Sequence, residues 1–162
     1  MSEKYLLQGT VKWSYSYELA EYSETYKLMN SMMSFSPPLH RHNGNIALTT
    51  SELIIEGVED DVDLSISLSA MKQIFIGFDD LFPVTSVRSF GAFWQPLRIE
   101  YYISSLETEY IYLIIDYNGV FTHDKDWFNA LTQMLQWFKI FPIYSPFKFS
   151  YLNYIMKAKM AD

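Results

Sequence analysis

Three short runs of this sequence gather side chains able to bind a metal or move a proton. His40-Arg41-His42 sets two imidazoles at alternating positions, and with a nearby carboxylate such a pair can ligate zinc or nickel. Arg41 between them repels a cation, and Ser36-Pro37-Pro38 before the run and Gly44 after it give it the character of an exposed loop. The loop reading outweighs the metal reading. Glu59-Asp60-Asp61-Val62-Asp63 is dense in the oxygen ligands that calcium takes, yet it lacks the ordered alternation and distal glutamate of a calcium-binding loop. It reads as a solvated hairpin tip. His123-Asp124-Lys125-Asp126 contains a potential acid–base pair, but these residues open a helix. There Thr122 can cap free backbone N–H groups, and the helix dipole accounts for the acids.

Other catalytic signatures are missing. The sequence contains no glycine-rich phosphate loop, nucleophile elbow or zinc-protease helix. It also contains no cysteine, which excludes disulfides, thiolate metal sites and a cysteine nucleophile. A non-catalytic chain without metal or cofactor is the expectation. Nineteen acidic against twelve basic residues leave a net charge of −7, so the average field repels nucleic acid. Lys and Arg are scattered, without the tight basic cluster that recognises anionic lipid, so membrane binding is also disfavoured. No apolar run suits a signal peptide or approaches the ~20 residues of a membrane span, which predicts cytoplasmic residence.

The elements that would position any site follow from side-chain periodicity. A 162-residue chain that is 49% hydrophobic and 19% charged is expected to fold as one domain around one core. Aromatic residues make up 18% and favour pleated, half-buried surfaces. Val11, Trp13, Tyr15 and Tyr17 alternate with polar residues over Thr10–Tyr17, the period-two pattern of a strand. Asn45–Thr50 with Leu53–Gly57 reads as a hairpin, and Asp63–Leu68, Met71–Phe78, Leu97–Ser104 and Glu109–Asp116 as further strands. From His123 the period changes. Trp127, Phe128, Leu131, Met134, Leu135 and Phe138 fall at helical spacing, and Pro142 enforces the end. A short helix is expected within Leu19–Met33, and another within Phe147–Met160.

About seven short strands closed by one C-terminal helix is the order of the pleckstrin-homology-like superfold. The residues resemble its GRAM and bacterial branches. Gly44-Asn45-Ile46-Ala47-Leu48-Thr49-Thr50-Ser51-Glu52-Leu53-Ile54-Ile55 resembles the early hairpin of those domains. Ile66-Ser67-Leu68-Ser69-Ala70-Met71-Lys72-Gln73-Ile74 resembles the following strand pair, and Asp126-Trp127-Phe128-Asn129-Ala130-Leu131 the start of the final helix. The resemblance implies a mainly β fold, an antiparallel, partly open barrel of about seven strands with a capping helix. Its core would be residues 9–17 and 44–141, with 18–43 an insertion or loop and 142–162 a C-terminal extension. Many relatives bind phosphoinositides through basic residues near the first two strands. Here that region offers Lys27 and Arg41 against Glu18, Glu21 and Glu24, so no lipid-binding residue carries over.

What stands out is surplus apolar surface. Trp137, Ile140 and Phe141 lie beside or beyond the helix stripe, while Phe90, Phe93, Trp94, Phe147 and Phe149 sit in segments with loop character. Exposed together, such residues form a patch that marks a contact surface; the competing reading is that the C-terminal tail covers them. The expected function is a non-catalytic interaction module that binds protein partners or self-associates into a homo-oligomer, with Trp94, Trp137, Phe141 and Phe147 as its surface. The alternatives are a small barrel enclosing an apolar ligand, or a peripheral lipid-binding domain.

Overall fold

The computed structural model describes residues 5–32, 38–59, 61–87 and 91–140, with the backbone alone at 31 and 138–140. Seven strands form one antiparallel sheet among these residues: β1 (Leu7–Tyr15), β2 (His42–Leu48), β3 (Glu52–Gly57), β4 (Leu64–Ser67), β5 (Met71–Ile76), β6 (Leu97–Tyr102) and β7 (Thr108–Ile115). Two helices, α1 (Ser16–Ala20) and α2 (Glu24–Met32), stand between β1 and β2, and α3 (Asp124–Ile140) follows the sheet. The strand order is β4-β3-β2-β1-β7-β6-β5. β4 and β5 are therefore the two sheet edges, yet the chain passes between them through a three-residue 3₁₀ turn, Leu68–Ala70. So short a link brings both edges together at one end. The sheet must roll, and it stays partly open because β4 and β5 do not pair.

Alternation decides which side chains enter the roll. Val11 and Trp13 of β1, Ile46 and Leu48 of β2, Leu53 and Ile55 of β3, and Leu97 and Ile99 of β6 are each at most 3% exposed. The open side is covered by α3, whose Trp127, Leu131 and Met134, at i, i+4 and i+7, join the same core. The expected mainly β fold with one C-terminal helix is the observed one. At Gly44 of β2 an added methyl group would collide with the Glu56 carbonyl oxygen of β3. Gly44→Ala should therefore lower stability by about 1–3 kcal/mol through forced separation of the pair, read as a lower urea midpoint with an unchanged slope.

The segment between β1 and β2 holds two helices rather than one. It covers the outer face of the sheet with a second core of Leu19, Leu39, Phe82, Val87 and Tyr112. β1 ends at Tyr15, two residues before the alternation does, because the Glu18 carboxylate accepts the Tyr15 N–H at 2.8 Å and starts α1. The β5–β6 connection is tied down by Asp79. Its carboxylate accepts from the Leu81 and Phe82 N–H groups, from Arg98 and from the Tyr112 hydroxyl, at 2.5–3.0 Å. This fixes Phe82 beneath Trp94, with ring centroids 6.3 Å apart.

Candidate functional site

A surface cleft of about 320 Å³ opens where the residues before β6 meet the start of α3, with Phe93, Trp94, Thr122, Asp124 and Lys125 in its lining. Aromatic side chains stand beside it, one of them turned outward by the tight turn that follows β7. Asn118 accepts the N–H groups of Val120 and Phe121 through its side-chain oxygen at 3.1 and 2.9 Å, and Gly119 takes a positive φ of 99° that favours glycine. Phe121 is left 56% exposed and Phe93 53% exposed. The two rings meet edge to face at 6.0 Å. Trp94 meets Tyr117 at 5.9 Å and is rooted on Phe78 and Phe82 below.

Beneath this rim Asp124 is 1% exposed. Its Oδ1 accepts the Ile115 N–H at 2.7 Å, pinning the start of α3 to the end of β7. Its Oδ2 accepts no bond by geometry among the described residues. Burial pushes the carboxyl up to about 7, against an opposing effect of the neighbouring Thr122 hydroxyl. The N–H groups of Asp126 and Trp127 in the first turn of α3 donate to the His123 carbonyl at 3.0 and 3.2 Å. The potential acid–base pair within His123-Asp124-Lys125-Asp126, which the sequence reading set below a helix start, is not formed between His123 and Asp124. The His123 ring turns to Asp116 at 2.9 Å, which raises its pKa, while Asp124 faces inward.

The two histidines of the run read as an exposed loop also diverge, His40 being buried and His42 opening β2. His40 lies in the outer core edge-on to Phe82, with neither ring nitrogen hydrogen-bonded among the described residues, and burial lowers its pKa to about 3, so it is neutral. His42 stacks on Trp13 at 4.3 Å, with Nδ1 2.5 Å from Asp61 and Nε2 2.8 Å from Glu18. Burial alone would lower its pKa, and the bonds to the two carboxylates outweigh it and raise it. Among the described residues no three His, Asp or Glu side chains assemble as a metal site. The acidic run supplies hairpin hydrogen bonds instead: Asp61 accepts from Asn43 and Val62, and Asp63 from Gly57.

Of the surface residues read from sequence, Trp94 stands at the cleft. Trp137 is half-buried on α3, thirteen positions past Asp124, which is about 20 Å along the helix. These two are not brought together, and Phe141 and Phe147 lie outside the described residues, as does the expected helix over 147–160. Asp124 lines the cleft, while Phe121 and Tyr117 adjoin it through their contacts with Phe93 and Trp94; none of the three was singled out as a contact residue. The one local signal was Asn118-Gly119 ahead of Val120-Phe121, a turn followed by two apolar residues with no alternation to bury them. No described helix is long and apolar enough to cross a membrane.

No family model matches this chain, and no curated protein does. Among solved structures it is similar to the C-terminal domain of an unknown protein from Leishmania infantum. The two share 11% identity with a TM-score of 0.47, over 83% of this chain and 85% of that one.

Proposed function

We propose that this chain is a non-catalytic interaction module that takes an apolar segment of a protein partner against the aromatic rim at the start of α3. The observation that carries this reading is the pair of exposed rings, Phe93 and Phe121, in mutual contact beside a cleft whose wall contains the buried Asp124 carboxyl. Aromatic side chains fixed by a rigid base lose little entropy on binding and supply most of the contact energy at interfaces. Trp94, rooted on Phe78 and Phe82, provides that base. The occupant suited to the cleft presents an apolar side chain beside a backbone N–H donor, since Asp124 can only accept when charged. Packing of the inner face by β-strand side chains and Trp127 favours a surface contact over an enclosed ligand.

N-acetyl-phenylalaninamide, which joins a ring to amide donors, is a suitable probe. In an amide-resolved NMR titration it should shift Gly91–Gln95 and Thr122–Lys125 saturably. The double variant Phe93→Ala/Phe121→Ala should reduce affinity at least tenfold with the fold intact. Shifts scattered over the surface, or unchanged affinity in that variant, would remove the cleft from consideration. Sedimentation of both forms identifies a second copy as the occupant if self-association disappears with the two rings.

A further inference from the structure

Away from the cleft, Glu18 of α1, His42 of β2 and Asp61 of the β3–β4 connection meet around one imidazole. Both ring nitrogens face a carboxylate oxygen, Nδ1 at 2.5 Å from Asp61 and Nε2 at 2.8 Å from Glu18. A carboxylate only accepts, and a neutral imidazole has one N–H, so this arrangement is satisfied when the ring carries both protons. The side chains are 10–19% exposed, sheltered enough for the charges to interact strongly and exposed enough for a proton to leave. We propose that Glu18, His42 and Asp61 form a pH-sensitive latch that joins α1 and the β3–β4 tip to the sheet while His42 is charged and loosens that junction when it is neutral.

Among the described residues, no other charged group bonds the ring. Trp13 lies flat against the ring and Tyr15 meets it edge-on at 6.1 Å, a phenol itself stacked on Tyr17. Burial and the nearby Tyr17, Glu18 and Glu109 raise the Tyr15 pKa, so that phenol stays neutral. Glu109 of β7 is engaged by the Ser16 hydroxyl at 2.9 Å. The neighbouring cations are engaged elsewhere, Lys12 with Asn43 at 2.5 Å and Arg41 with Glu21 at 2.6 Å. When His42 gives up a proton, one contact becomes lone pair against lone pair. Asp61 keeps two backbone bonds, from the Asn43 and Val62 N–H groups at 2.8 Å each, whereas Glu18 keeps one, from the Tyr15 N–H at 2.8 Å, and belongs to a five-residue helix. The Glu18 contact is the one that breaks. Leu19, fully buried in the outer core, keeps the rest of the segment in place, so the response is confined to Tyr15–Glu21 and the β3–β4 tip.

The sign follows from the direction of the shift. The folded pKa of His42 lies above 6.5, so the latch contributes fully below 6.5 and is lost as pH rises through the folded value. Ring nitrogen NMR should show His42 doubly protonated at pH 6. Hydrogen exchange of Tyr15–Glu21, normalised for intrinsic rates, should accelerate with rising pH, by about tenfold for each unit by which the ring's midpoint exceeds 6.5. In Glu18→Gln the new amide can donate to the unprotonated nitrogen, so exchange should become flat with pH while the fold persists. His42→Gln should also be flat. A neutral ring at pH 6, or a pH response equal to wild type in His42→Gln, overturns the proposal, and the ring measurement on wild type decides it even if a variant does not fold.

Discussion

Asp124→Asn is expected to stabilise the protein at pH 8 by about 2 kcal/mol, and to do so hardly at all at pH 4. Burial lifts the carboxyl from 3.8 to about 7, and each unit corresponds to about 1.4 kcal/mol, so holding the charged form inside costs roughly 4 kcal/mol above that pH. The sign is that of a raised acid. Its contribution to stability is fully present below 3.8 and is lost as pH climbs to about 7. Asparagine keeps an oxygen for the Ile115 N–H, now at 2.7 Å from Oδ1, and removes the charge. Its buried amide N–H₂ returns about 1–2 kcal/mol of the gain if poorly paired. Urea unfolding at both pH values tests this, and an equal change at pH 4 and pH 8 would show that the buried charge is not the cause.

Trp127→Ala should have the largest opposite effect, a loss of about 3–5 kcal/mol. The indole is 3% exposed and lies with Leu131 and Met134 against the inner core. Removing it leaves a cavity where the helix covers the open side of the roll, and strands cannot close inward to fill it without breaking register. The urea midpoint should fall sharply, with dye binding to newly exposed apolar surface well before global unfolding. Trp137→Ala, on a half-buried position of the same helix, should cost clearly less. Equal losses at both positions would mean that α3 does not cover the core through Trp127.

Much of the sheet was legible because one face of each strand meets only apolar neighbours, so Val11/Trp13, Ile46/Leu48 and Leu64/Ile66 keep strict alternation. The helix was legible for the same reason at a different period. The outer core was not. It buries Ser14, Glu18, Lys27, His40 and Glu100, polar side chains that each look solvent-facing in a one-dimensional reading. Lys27, for example, is 2% exposed only because Nζ reaches the Leu81 carbonyl at 2.8 Å and Glu24 at 3.0 Å, contacts made 54 positions away or on a neighbouring helical turn. The cleft was half legible. Trp94 was conspicuous as an aromatic in a loop, but its partnership with Phe121 and Asp124 depends on β6 and β7 pairing Leu97 with Leu113, which sets the two loops side by side. Trp137 carried the same compositional signal and lies elsewhere.

One feature of the sheet bears on how quickly the molecule can assemble. β2–β3–β4 and β5–β6–β7 are two runs of adjacent hairpins, each able to zip locally, whereas β1 pairs on one side with β2 and on the other with β7, matching Val11 to Ile115. That second seam encloses about a hundred residues, and its loop-closure entropy must be met before any of its hydrogen bonds form. The first strand made on a ribosome is therefore the one whose final partner emerges last. Acquisition of native structure should be governed by this high-contact-order step, in the slow range of milliseconds to seconds typical of rolled β folds, with the two hairpin runs waiting as preassembled halves.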